Sequence, residues 1–277
     1  MKQLKPLLIA VAPNGARYGK DDHPALPITA TELAKTAEDC LAAGATMIHL
    51  HVRDKNGRHS LAAEYYIKAI AAVKYAVADE MIIQVTSEAA GSYTSKEQIS
   101  LMLQLMPDCL SIALREFVPS EAAVKPFKEF LQTLSAAGCL VQYILYDDTD
   151  YKRYQYFLTT GVIPEKNHSL LLVLGRYTKS APTTDIIEQY RTILTSKVPW
   201  MVCTFGVNAQ QILSKAVVLG CNVRVGFENG FYLPDGSIAN SNAELIAKSW
   251  QFFAQSGRPL ATIKQTRVLL GQSECSI

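Results

Sequence analysis

The segment TATELAKTAEDCLAAGATMIHLHVRD, residues 29–54, holds one complete passage from helix to strand. An amphipathic stretch runs over Thr29–Ala43, with Thr29 and Thr31 as candidate N-caps and Gly44 as its stop. The run Thr46–Val52 that follows is almost continuously apolar. Such a run, without alternation of polar and apolar residues, suits a parallel strand covered by helices on its outer face.

Outward from this segment the same alternation repeats in both directions. The expected strands are Leu7–Ala12, Thr46–Val52, Met81–Ser87, Cys109–Leu114, Leu140–Tyr146, Leu170–Gly175, Trp200–Phe205 and Val223–Phe227. The expected helices between and after them are Thr29–Ala43, Ala63–Val77, Ser95–Met106, Ser120–Ala137, Thr149–Thr160, Thr184–Leu194, Asn208–Leu219 and Asn242–Ser256. SKEQ at Ser95–Gln98 fits a capping box, and glycines 138, 161, 220 and 257 stand where helices should stop. The unit repeats about every 30 residues, the length of one strand, one helix and their connections. Eight such units predict a single-domain (β/α)8 TIM barrel over residues 1–277. No GxGxxG follows the first strand, which removes the main motif of an open doubly wound sheet. The last residues, from about 258 to 277, read as a helix or tail packed on the outside.

Composition agrees with one enzyme-sized domain. Of 277 residues, 49% are hydrophobic and 19% charged, so a large core is available and disorder is excluded. The formal charge of +2 is too even to imply a nucleic-acid or membrane partner. The N-terminal apolar run LLIAVA stops at Pro13, too short for a signal peptide or a membrane span, so a cytoplasmic protein is expected. The six cysteines, Cys40, Cys109, Cys139, Cys203, Cys221 and Cys275, form no CxxC pair and read as buried, reduced structural thiols, or as a loose end at Cys275.

In a barrel the chemistry belongs at the C-terminal ends of the strands. Polar residues gather there: Asn14 and Arg17, then His49, His51 and Arg53, Ser87-Glu88, Arg115-Glu116, Asp147-Asp148, Arg176, and Arg224 with Glu228-Asn229. His49 and His51 stand two apart on one strand, so their rings share a side and can converge on one ion. A carboxylate would complete a two-histidine, one-carboxylate set for zinc or another divalent metal. The residues alone leave Glu228, Glu88 and Glu116 open for that place. Arg224 shares its side of the strand with Glu228 and needs an anionic partner, from the protein or from a substrate. Arg17, Lys20 and Arg176 are the basic candidates at the mouth.

HLHVRD (49–54), VTSEAAG (85–91) and NVRVGFENGFYLPDG (222–236) together resemble the β-keto acid cleavage enzymes, and the likeness runs over nearly the whole chain. The resemblance implies a TIM barrel in a homo-oligomer such as a tetramer. It implies a divalent metal, normally zinc, on His49, His51 and Glu228, and acetyl-CoA as co-substrate. It implies condensation of a β-keto acid with acetyl-CoA to give acetoacetate and a new acyl-CoA. It places Arg224 in the catalytic apparatus and Ser87 among the substrate contacts. Asn14, Arg115 and Asn229, from their places at the strand ends, are further substrate-binding candidates. Many members carry Asp, read as the general base, where this chain has Asn229, and Asn cannot accept a proton. Glu88 or Glu116 is therefore expected to supply the base. The carboxylate that contacts a substrate amine in the family falls near Ile144, which turns the expectation away from amino-bearing substrates. Two other readings compete: a metal-dependent aldolase or acyl-CoA lyase that does not use acetyl-CoA, and a barrel that only binds a keto acid or acyl-CoA.

Overall fold

The computed structural model describes residues 4–176, 182, 185–190 and 198–272. Eight parallel strands close on themselves: β1 (Ile9–Val11), β2 (Met47–Leu50), β3 (Ile82–Thr86), β4 (Cys109–Ala113), β5 (Leu140–Leu145), β6 (His168–Leu174), β7 (Trp200–Thr204) and β8 (Asn222–Val225). Each expected strand is found, shifted at its ends by a few residues at most. The seam pairs β1 with β8, with Ala10 opposite Arg224 and Val11 opposite Val225. The protein is thus a (β/α)8 TIM barrel. Beyond β2 the chain turns back as a short antiparallel ribbon, Val52–Arg53 with His59–Ser60.

The surrounding helices are α1 (Ala30–Ala42), α2 (Ala63–Val77), α3 (Ser95–Leu105), α4 (Val124–Ala136), α5 (Asp148–Thr159), α6 (Ala209–Val218) and α7 (Asn242–Phe253). Thr29, not Thr31, caps α1, in a full capping box with Glu32. The box at α3 lies one residue earlier than SKEQ suggests, on Thr94 and Glu97. The reason is that Gln98 is buried and its amide is committed to the Ser87 carbonyl and the Glu116 carboxylate. The expected helix Ser120–Ala137 starts later, after a 3-10 turn at Glu121–Ala123, and Pro126 falls in the first turn of α4, where no N–H is needed. Of the expected helix Thr184–Leu194, a single turn at Ile186–Gln189 lies within the described residues.

Two apolar layers hold the barrel. One packs the helices on the strands. The other fills the lumen with Leu8, Ala10, Met47, Cys109, Leu140 and Met201. The C-terminal segment joins this inner layer through Ala261 and Leu270, so it closes the N-terminal end of the barrel instead of lying on the outer wall. Thr266 bonds Thr46 at 2.6 Å, and the Arg258 guanidinium donates to the carbonyls of Lys5, Pro6, Val217 and Cys221. One side chain thus ties the segment before β1 to the connection between α6 and β8. The five described cysteines are buried and unpaired, and burial pushes Cys109 up to about 12 and Cys221 up to about 11. Cys275 lies outside the described residues.

Candidate active site

At the C-terminal mouth, three buried side chains point their ligating atoms at one another. His49 Nε2 lies 3.1 Å from His51 Nε2, and Glu228 Oε2 lies 3.6 Å and 3.4 Å from them. A tetrahedral ion with bonds of about 2.0–2.1 Å requires ligand atoms roughly 3.3 Å apart. The triangle has that size, and Glu228 Oε2 is buried with no hydrogen-bond partner. His49, His51 and Glu228 also form the one group among the described residues with this metal-ligand geometry. The donor set fits a divalent metal.

The supports of the triangle are as specific as its members. His49 Nδ1 faces Gln84 Oε1 at 2.8 Å, so Nδ1 carries the proton and Nε2 keeps its lone pair for an ion. Gln84 is held in turn by Gln142, and Gln142 by Ser169, in a polar row across the lumen. Burial, aided by the nearby Arg224 charge, holds His49 down at about 3, so its ring stays neutral. On the opposite side, Gly226 turns the chain after β8. A Cβ at Gly226 would lie 2.2 Å from the Ala12 carbonyl, and Glu228 N donates to that same oxygen at 3.0 Å. The turn therefore hangs Glu228 on the first strand. Gly15, at φ +59, packs flat against the Glu228 side chain. Arg224 donates to Glu228 Oε1 at 2.9 Å. Burial works against ionisation of Glu228, but Arg224, His49 and His51 outweigh it and hold the carboxyl well below its usual range.

Around the triangle lies a pocket with an acidic and an apolar side. Glu88 pairs with Arg176 at 2.6 Å, stands 3.9 Å from Arg17, and its other oxygen is 3.9 Å from His51 Nε2. Glu116 accepts from Ala89 N and Gln98, and burial raises its carboxyl. Ser87 Oγ donates to the Ser111 carbonyl. Ala113, Ile144 and Val173 form the apolar side. A larger cavity of about 990 Å³, partly open to solvent, adjoins this pocket and is lined by Arg17, Tyr18, Arg176 and Phe205.

Of the residues expected at the site, His49, Ser87, Glu88, Glu116, Arg224 and Glu228 share one pocket, with His51 completing the triangle behind it. Arg115 does not line it. Its guanidinium pairs with Asp147 and Asp150 at the start of α5 and stacks over Tyr146. Asn14 donates to the carbonyls of Pro27 and His51, tying the first loop to the second strand. Asn229 lines a different pocket, beside α6. Lys20 is engaged with Glu32 and the Pro24 carbonyl. Sequence reading passed over Gln84, Gln142 and Gly15. An amide in the middle of an apolar strand, as in IIQVT and LVQYIL, is the signal that would have found the two glutamines.

Comparison with known proteins gives the family. A family-wide profile described as beta-keto acid cleavage enzyme matches residues 6–271. A 3-keto-5-aminohexanoate cleavage enzyme of Fusobacterium nucleatum subsp. nucleatum is 31% identical, over 96% of this chain and 98% of its own. A 3-oxoadipate:acetyl-CoA acetyltransferase of Cupriavidus necator is 26% identical, over 96% and 95%. Among solved structures, the ternary complex of ObcA with a C4-CoA adduct and oxalate superposes with a TM-score of 0.68 at 15% identity, over 89% of this chain and 67% of that one, a likeness of fold.

Proposed function

The chain belongs to the β-keto acid cleavage enzyme family, and from that premise we propose that it condenses a β-keto acid with acetyl-CoA, giving acetoacetate and a new acyl-CoA, on a zinc-class divalent metal held by His49, His51 and Glu228. The observation that carries the reading is the triangle of His49 Nε2, His51 Nε2 and Glu228 Oε2 at the mouth, with the Arg224 cation against it. A bound divalent ion would polarise the keto and carboxylate oxygens of the substrate.

The residues divide the remaining work. Acetoacetate joins the acetyl group to the carbon that lay between the keto and carboxylate groups, so that carbon must first lose a proton. Asn229 cannot take it, being an amide and in another pocket. We assign the base to Glu88, whose carboxylate stands beside the triangle and is positioned by Arg176. Glu116, with its raised carboxyl on the same pocket wall, is the second candidate. Arg224 lends positive charge where the substrate becomes anionic. Ser87 keeps an oxygen lone pair for orienting the substrate, since its hydrogen is given to Ser111. The side made by Ala113, Ile144 and Val173 excludes water and takes the side chain of the keto acid. The cavity with Arg17 and Arg176 is the approach for acetyl-CoA. The same reading carries a homotetramer, to be measured by light scattering.

The test is to incubate metal-loaded protein with acetyl-CoA and a panel of β-keto acids, and follow acetoacetate and acyl-CoA by mass spectrometry. A new acyl-CoA is expected, dependent on acetyl-CoA and absent in His49→Ala and Glu228→Ala. Product without acetyl-CoA would replace this reading with a lyase. Metal binding with no turnover of any substrate would replace it with a binding protein.

A further inference from the structure

His49 and His51 supply the two nitrogens of the triangle, yet the structure secures their rings differently. A ring that ligates through Nε2 carries its proton on Nδ1, and an acceptor for that N–H fixes the ring. For His49 the acceptor is Gln84. His51 is fully buried, and its Nδ1 has no hydrogen-bond partner among the described residues. Leaving a buried donor unmade costs about 1–3 kcal/mol.

A second orphan lies beside it. In the ribbon beyond β2, Arg53 stands opposite His59. His51, two residues before Arg53, falls on the same face and diagonal to His59. The centroids of the two rings are 5.5 Å apart. His59 Nε2 lies 2.8 Å from the Glu88 carbonyl oxygen, which can only accept, so Nε2 carries a proton. Burial holds His59 down at about 4, so the ring is neutral and its Nδ1 is left as an acceptor. That nitrogen is also buried with no partner among the described residues. The two orphans are thus opposite in kind, a donor on His51 and an acceptor on His59. One water between the rings would receive from the first and donate to the second, and two polar partners are enough to hold a buried water.

We propose that His59 is the positioning residue of His51. Its Nδ1 takes the His51 Nδ1–H through one bridging water and so aims the ring at the triangle, as Gln84 does for His49. Its Nε2 meanwhile holds the backbone at Glu88. The site of the ion is thereby joined to the loop that carries the proposed base. This inference rests on the metal reading of the triangle and not on which reaction is catalysed there.

Two amides separate the nitrogens of His59. An Asn oxygen falls where Nδ1 stands, and a Gln amide reaches to where Nε2 stands. Chelator competition for zinc is run on the parent protein, His59→Asn and His59→Gln, each checked for folding by circular dichroism. His59→Asn keeps the acceptor and should stay close to the parent's zinc affinity. His59→Gln keeps the tie to Glu88 and should lose about ten- to a hundred-fold. Proton NMR of the cobalt(II)-loaded proteins reads the bond itself. The paramagnetic ion shifts the ring N–H protons of His49 and His51 far from the rest of the spectrum, and they stay visible only while protected from exchange with water. Both signals are expected in the parent and in His59→Asn, and only that of His49 in His59→Gln. Equal zinc affinity in the two variants, or both N–H signals kept in His59→Gln, would overturn the proposal and leave His59 as packing. A parent protein that binds no zinc would overturn the metal reading of the triangle, and this proposal with it.

Discussion

Gly15 has no room for a side chain. A Cβ there would lie 2.5 Å from Glu228 Cγ, and its φ of +59 is strained for any L residue with a side chain. Gly15→Ala should therefore push Glu228 off the triangle. We expect a metal affinity lower by about ten- to a hundred-fold, read by chelator competition, and an unchanged affinity would mean that the loop simply yields. Gln84 acts from the other side. Gln84→Leu removes the acceptor that fixes the His49 tautomer and should weaken metal by a similar factor, while Gln84→Glu keeps an acceptor and should restore most of it. If both variants bind metal alike, the Gln84 contact is packing alone. These two residues also show where sequence reading stops. The His-x-His spacing and the polar strand ends were legible because they follow from strand geometry. The contacts of Gly15 and Gln84 were not, because each depends on an element far along the chain. Arg115 looked like a site residue for the same reason, since nothing local shows that Asp147 and Asp150 will claim it.

At the scale of elements, apolar runs located the strands, and helix ends were legible to within a residue or so wherever a cap box and a glycine bracket the helix. Capping also carries a pH dependence. Burial works against Glu32, yet hydrogen bonds from Lys20, Thr29 and Ile28 hold it down at about 2. Its folded value is below its ordinary 4.5, so the stabilisation is complete above that pH and is lost as pH falls from about 4.5 to 2. Glu32 is partly exposed, and its contribution is correspondingly modest, about 1 kcal/mol or less. Glu32→Gln should lower stability at pH 7 by that amount and flatten the loss between pH 4.5 and 2. Parallel acid titrations of the two proteins, followed by circular dichroism, check it. Two curves offset by a constant amount at every pH would show that Glu32 acts only through shape.

The whole molecule separates its two ends. The proposed site lies at the C-terminal mouth, and the opposite end is closed by the C-terminal segment and the Arg258 side chain. Arg258→Ala removes the donor to four carbonyls, two of them in buried bonds, and should cost about 1–3 kcal/mol in urea unfolding. Metal affinity should stay within two-fold of the parent, roughly. A large loss of metal in the folded variant would show that the two ends are coupled. This closure was not readable from sequence, where the last residues looked like an external tail, because which face a terminal segment covers is decided only once the barrel exists. The barrel itself was readable, since eight repeated units leave few other arrangements.

The seam between β1 and β8 has a consequence for biosynthesis. Glu228 hangs on Ala12 of the first strand and rests on Gly15, while the imidazoles come from the second. A growing polypeptide leaving the ribosome exposes both histidines early, yet it cannot present the carboxylate beside them until β8 has emerged and joined β1. On the proposed reading, capture of an ion by all three groups would thus require the barrel to be closed, and a chain that holds such an ion would, by that fact, have finished closing.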